Sequence, residues 1–273
     1  MADAAIAGAT RRRPGFASRL VRRDWRGAVA PLLLLAFVEI VMDTGSYQSD
    51  SLAPPSQIAV AAYRVVLDGS LLTGTIETLG AALGGLAIGG MIGVVLGVLF
   101  GMSRAVDRLM MVTVESIRPI PSAAIIPVVL LAFGFGYRME IFLILPGTIF
   151  PILIFTRSAV AGTEPCLLDV SRLMGLGYIG RVLKIVVPAA LPRIFVGFRL
   201  SAALALVIAV TTEVVVNPQG LGSAIMVSEQ KLDPASMYAV VIWLGIIGWG
   251  LNAALVWMQR RLFGPAGARG AEQ

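Results

Sequence analysis

Histidine is absent from this 273-residue chain, and cysteine occurs once, at Cys166. The first absence removes imidazole as a general base or metal ligand, and the second removes any internal disulfide or thiolate cluster. Charge is scarce too, with Asp, Glu, Lys and Arg making up only 14% of the residues. No Gly-x-x-x-x-Gly-Lys-Ser/Thr segment occurs, and no polar stretch is long enough to house an ATP-hydrolysing domain. Strict period-two alternation is missing from the apolar stretches, which excludes a transmembrane barrel.

What the chain does have is apolar length. It is 57% hydrophobic with a mean hydropathy of +0.86, far from the composition of soluble domains, so its solvent is lipid. Apolar runs cover residues 75–100, 109–135, 141–161, 194–216 and 238–258, each able to cross a hydrocarbon core of about 30 Å as a helix. A shorter run, 28–42, follows a basic N-terminal tail and reads as a retained first span, because no small-residue cleavage site follows Met42. The expectation is an all-α membrane protein of about six transmembrane helices.

Lys and Arg placement sets the orientation. The basic tail, Arg104 and Arg108, the segment carrying Arg172, Arg181, Lys184 and Arg193, and the pair Arg260 and Arg261 fall on one side if the spans alternate. Only Arg64, Arg138 and Lys231 fall on the other, so both termini are expected in the cytoplasm. This also accounts for the net charge of +6 without nucleic acid, whose readers cluster basic residues on a solvated face. The layout is a tail at 1–26, a first helix at 27–43, a five-helix core at 72–258 and a C-terminal tail at 259–273.

Gly85, Gly89, Gly93, Gly97 and Gly101 recur every four residues along the second span. They strip one helix face of side chains, which reads as close packing against a neighbouring helix.

The connection at 162–192 mixes helical apolar spacing with fixed punctuation. Thr163 is expected to cap a first short helix that tolerates Pro165 in its opening turn and carries Leu167, Val170, Leu173 and Met174. Gly175 and Gly177 break it, with Gly175 allowing close backbone approach at the bend. A second amphipathic stretch, with Ile179, Val182, Leu183 and Val186, runs to Pro188.

Four ionisable residues in the spans demand explanation, since a charge at the bilayer centre costs about 2.5–3.5 kcal/mol on insertion scales. Glu77 and Glu115 lie near span ends and read as structural or interfacial, and Glu115 is placed to neutralise Arg118 three residues on. Arg118 precedes Pro119 and Pro121, so it either satisfies carbonyls freed by those prolines or faces an anionic substrate. Glu213 stands where a helix yields to Asn217, Pro218 and the turn Gly220-Leu221-Gly222; it is either a gate lining a pathway or a buried, hydrogen-bonded carboxyl.

Asp169-Val170-Ser171, then Gly175, then Ile185-Val186-Val187-Pro188 resembles the coupling loop of ABC importer permeases, whose pattern is Glu-Ala-Ala, three residues, Gly, nine residues and Ile-x-Leu-Pro. Spacing is kept throughout, while Asp replaces Glu, Val and Ser replace the two Ala, and Val187 replaces Leu. Arg118-Pro119-Ile120-Pro121, Pro127, Phe133-Gly134-Phe135-Gly136, Pro188-Ala189-Ala190-Leu191-Pro192, Gly197-Phe198-Arg199, Glu213 and Gly220-Leu221-Gly222 are similar to the nitrate/sulfonate/taurine branch. The resemblance covers roughly residues 72–258.

That resemblance implies a type I importer architecture in a bacterial cytoplasmic (inner) membrane, and a pathway for a small solute such as nitrate, a sulfonate or taurine. It further implies a homodimer, two cytoplasmic ATPase subunits that bind ATP and Mg, no cofactor in this chain, and an extracytoplasmic substrate-binding protein. ATPase coupling would fall to Asp169, Val170, Ser171, Arg172, Met174, Gly175, Leu176 and Gly177, and pathway or gate roles to Arg118, Pro121, Glu213 and Leu221. The competing class is an ion-coupled secondary transporter, which would need inverted repeats around a midplane site; none is visible.

Overall fold

The computed structural model describes residues 33, 36–42 and 52–269. The chain divides into two compact units, one of residues 1–49 with 54–56 and a larger one of residues 50–53 with 57–273. The basic tail at 1–26 and most of the expected first helix lie outside the described residues. In the smaller unit residues 36–42 are helical, and Glu39 Oε2 accepts the Ser56 backbone N–H at 3.1 Å.

All regular structure among the described residues is helical. In order come α1 (Pro55–Leu67), α2 (Ser70–Met102), α3 (Arg104–Ile117), a 3₁₀ turn (Ser122–Ile125), α4 (Ile126–Phe133), α5 (Tyr137–Ala161) and α6 (Pro165–Leu173). Then follow α7 (Tyr178–Arg181), a π-helical turn (Val182–Val186), α8 (Val187–Val215), α9 (Gly220–Gln230) and α10 (Pro234–Arg269), which is interrupted at Gly264 where φ is +65°.

Four stretches are long and apolar enough to cross a membrane: Ser70–Met102, Tyr137–Ala161, Tyr178–Gln230 and Pro234–Gly264. A fifth exists if α3 and the Ser122–Phe133 segment count as one span, but the two are bent by 77°. The run at 109–135 is therefore not the straight helix that its hydropathy suggests. Pro119 and Pro121 cannot donate to a helical ladder; α3 stops at Ile117 with Arg118 still helical at φ −53°, ψ −37°, and Pro121 is extended at φ −65°, ψ 130°. α4 then ends at Gly134, where φ is +69°.

The core forms where α2 and α5 lie against each other, with α8 packed on both. Ala81, Ala82, Leu86, Ile144, Ile152, Ala202, Ala205 and Ala209 make its centre. Small residues are required there. A Cβ on Gly89 would sit 2.0 Å from Thr148 Oγ1, one on Gly93 2.9 Å from the Ile149 carbonyl, and one on Gly97 2.8 Å from the Leu153 carbonyl. The glycine stripe is thus the surface that lets the α2 backbone touch the α5 backbone, as expected from its spacing.

Two boundaries differ from the sequence expectation. The second amphipathic stretch of the 162–192 connection does not stop at Pro188; α7, the π turn and α8 run on as one rod into the span. Pro188 lies inside that rod just past the π turn, where the Val187 N–H bonds the Val182 carbonyl, the wider π spacing. The last helix also continues beyond residue 258, as far as the break at Gly264.

Candidate functional site

Three places in the larger unit gather the residues singled out above. The first is α6 and the turn behind it. Glu164, not Thr163, occupies the N-cap position, with Pro165 opening the helix, and the Thr163 hydroxyl has no hydrogen-bond partner among the described residues. At the other end the Leu176 N–H bonds the Ser171 carbonyl at 3.1 Å and the Gly175 N–H bonds the Arg172 carbonyl at 3.0 Å. Gly175 has φ +66°. Those two bonds around a left-handed residue form a Schellman cap. The space beside Gly175 is open within the chain, so its requirement here is the left-handed backbone rather than close approach.

The two faces of α6 differ. Ser171 is fully buried, donating its hydroxyl to the Leu168 carbonyl at 2.5 Å, and Leu168 packs on the cluster of Ala159, Val160, Val186, Ala190 and Ile194. Leu173 and Met174 point the other way, 89% and 67% exposed, and Val170 shares their exposure. Asp169 and Arg172 pair at 2.9 Å on the solvated surface, where such a pair contributes under about 1 kcal/mol.

The second place is the bend after α3. Arg118 caps the end of that helix and lines a cavity of about 170 Å³ together with Ser122, Gly147, Phe150, Pro151 and Leu204. The expected neutralisation by Glu115 is not formed. The ion pairs among the described residues are Arg157 with Asp107 and Arg172 with Asp169. α3 ends at Ile117, and Arg118, exposed at its end, borders the cavity at the bend. Pro121 is exposed on the same bend.

The third place is the start of α9. Three successive backbone N–H groups without helical partners are met by side chains: Gly220 by Glu77 Oε2 at 2.8 Å, Leu221 by Thr78 Oγ1 at 2.9 Å, and Gly222 by Glu213 Oε2 at 2.8 Å. Thr78 also donates its hydroxyl to Glu213 Oε2 at 3.0 Å. Beside them Asn217 Nδ2 donates to Glu140 Oε1 at 2.8 Å, while Asn217 Oδ1 accepts the Gly136 N–H at 3.2 Å.

Glu213 is 2% exposed and Leu221 is fully buried against Leu71 and Val240. Both are joints inside the chain, and Glu77 belongs to the same joint. Glu140, buried and bonded, escaped the sequence reading because it falls just outside the apolar run that begins at 141. Its position in the first turn of α5, two positions after Arg138, was the available signal.

A family model described as binding-protein-dependent transport system inner membrane component matches residues 89–263, a stretch that holds α3 to α9 whole. The chain belongs to this family. The permease is 27% identical to the putative aliphatic sulfonates transport permease protein of Bacillus subtilis, with 93% of this chain and 91% of that one covered. It is 33% identical to a putative ABC transporter permease protein of Methanocaldococcus jannaschii, covering 71% and 73%. To the bicarbonate transport system permease protein of Synechococcus elongatus it is 30% identical, covering 71% and 70%.

Among solved structures, the fold is similar to the inward-facing MetNI methionine ABC transporter, with a TM-score of 0.63 at 22% identity over 71% of this chain and 97% of that one. An amino acid ABC transporter superposes with a TM-score of 0.60 at 16% identity, over 73% and 97%. The architecture is that of a type I ABC importer permease, and the protein is an inner-membrane permease of that class. A secondary transporter finds no support in these matches.

Proposed function

We propose that this permease forms the translocation pathway of an ABC importer and takes its drive from a separate cytoplasmic ATPase, the subunit that binds ATP and Mg, through the segment Asp169 to Gly177. The observation that carries the reading is the outward apolar face of α6. Leu173 and Met174 stand exposed on a helix whose inner face is anchored and whose end is capped, so the piece moves as a unit. A short rigid helix of that kind fits a groove on a partner. The rod from Tyr178 to Val215 leads from this contact into the core without a break, which gives motion at α6 a stiff path to the spans.

In this reading two copies of the chain assemble with two ATPase subunits, both termini are cytoplasmic, and an extracytoplasmic binding protein delivers the solute. Arg118 and Pro121 border the pathway at the bend, while Glu213 and Leu221 frame a gate by holding the start of α9. The relatives' names, aliphatic sulfonates and bicarbonate, favour a small anionic solute.

The test is co-expression of the permease with its candidate ABC ATPase, followed by affinity purification. Leu173→Glu leaves the buried face of α6 untouched and is expected to abolish recovery of the ATPase. Full recovery with Leu173→Glu would remove α6 as the docking element.

A further inference from the structure

The helix α1 is apolar around most of its circumference, yet the chain covers only one line of it. Ala61 is buried and Val65 packs on the cluster of Leu71, Leu221 and Val240, so that line rests on α2, α9 and α10. A second line is polar: Gln57 and Arg64 stand seven residues apart, two turns along one face. The remaining surface carries Val60, Tyr63, Val66 and Leu67, each between 51% and 66% exposed. No acidic residue occurs in the helix. A helix this apolar is normally buried, so the exposed face calls for a cover from outside the chain.

The position of α1 along the chain identifies that cover. Only Asp68 and Gly69 separate α1 from α2, and the turn is fixed. The Asp68 N–H bonds the Arg64 carbonyl at 2.9 Å, the Gly69 N–H bonds the Val66 carbonyl at 3.2 Å, and Ser70 Oγ donates to the Val65 carbonyl at 3.3 Å. Gly69 has φ +72°, which stops α1 from running on into α2 as one rod. With 33 residues at ~1.5 Å each, α2 is about 50 Å long, more than the ~40–45 Å of a bilayer with its headgroups. Its ends therefore stand at the headgroup layers, and a two-residue link keeps α1 at one of them, the external one in the importer reading. Arg64 faces another connection at this level. Hydrogen bonds from Ser236 and, more weakly, the Arg64 charge hold the Asp233 carboxyl, in the turn before α10, below its usual range.

We propose that α1 is an interfacial helix whose partner is the lipid bilayer: Val60, Tyr63, Val66 and Leu67 enter the boundary between headgroups and acyl chains, and the line of Gln57 and Arg64 meets phosphates and water. A tyrosine in an apolar face and a cation beside it are side chains that favour this layer, and a helix without carboxylates meets no repulsion from lipid phosphates. Because Val65 shares a cluster with Leu221, the bilayer then bears on the joint at the start of α9 through one side chain. The placement holds whichever solute the permease carries.

Electron spin resonance reads the placement directly. In full-length Cys166→Ala permease held in nanodiscs of phosphatidylcholine and phosphatidylglycerol, nitroxide labels are attached to single cysteines introduced as Val60→Cys, Tyr63→Cys, Leu67→Cys and Gln57→Cys. Each change replaces an exposed side chain, so the core is left intact. Collisions with oxygen, which concentrates in lipid, are compared with those of a water-soluble nickel chelate. The oxygen-to-nickel ratio is expected to be about fivefold or more higher at positions 60, 63 and 67 than at position 57, as for side chains ~5–10 Å inside the boundary. Ratios at 60, 63 and 67 no higher than that at 57 would place the face in water and overturn the proposal. Low collision rates with both reagents would overturn it too, because a second copy of the chain or another protein would then cover the face.

Discussion

Glu213 Oε2 accepts the backbone N–H of Gly222 at 2.8 Å, and the single bond joins the end of α8 to the start of α9. The fit is tight: a Cβ at Gly220 would lie 2.2 Å from Glu213 Oε1, and one at Gly222 would lie 2.5 Å from the Val210 carbonyl. The Gly-Leu-Gly turn is therefore small because the carboxylate occupies the space a side chain would need.

Glu213→Ala strands the Gly222 N–H and the Thr78 hydroxyl in a buried site, an expected loss of about 1–3 kcal/mol for each orphaned group. A lower thermal midpoint of the detergent-solubilised permease would show it. Glu77→Gln keeps an acceptor for the Gly220 N–H and is expected to be mild. Equal midpoints for Glu213→Ala and the wild type would mean that the joint does not hold α9.

Gly89→Ala is expected to destabilise the α2–α5 contact by about 1–3 kcal/mol, because the added carbon meets Thr148 Oγ1 at 2.0 Å. Gly245→Ala is the matched control, as nothing lies within 4 Å of its Cβ position. Thermal denaturation of the two variants should separate them. A Gly89→Ala protein as stable as Gly245→Ala would show that the two backbones do not touch there.

How far these features could be read beforehand depended on whether the signal was local. The glycine stripe repeats along one helix face and so announced a close helix contact, although only the fold identifies α5 as the neighbour. The hinge at Gly175 was legible because a left-handed cap favours glycine, whereas the open space beside it was not. Hydropathy carries no direction, so the run at 109–135 looked like a straight span even though Pro119 and Pro121 stand in it. Glu140 and Thr78 gained their roles from residues far along the chain, Asn217 and Leu221, and no window along the sequence joins them. Thr163 had the right chemistry for a cap but stands one residue too early.

The carboxyl of Asp233, in the turn before α10, is held below its usual range by hydrogen bonds from Ser236, whose backbone N–H reaches Asp233 Oδ1 at 3.1 Å. A depressed carboxyl contributes stability above its unfolded value, near 3.9, and loses it as pH falls through the lower folded value. Asp233→Asn keeps the cap without the titration. Melting curves from pH 6 to 3 are expected to drop less steeply for Asp233→Asn than for the wild type; parallel curves would remove Asp233 from the acid response.

The central claim, that the turn behind α6 transmits the ATPase stroke, is tested most directly at Gly175. The measurement is ATP hydrolysis by the reconstituted importer in proteoliposomes, with and without solute-loaded binding protein. Gly175→Asn tolerates the left-handed backbone and is expected to keep most of the stimulation. Gly175→Trp strains the cap and fills the open space beside it. Overpacking at such a contact costs about 1–3 kcal/mol, which weakens docking about 5- to 150-fold, so stimulation should fall to the basal rate. Stimulation of Gly175→Trp equal to that of the wild type would contradict the account.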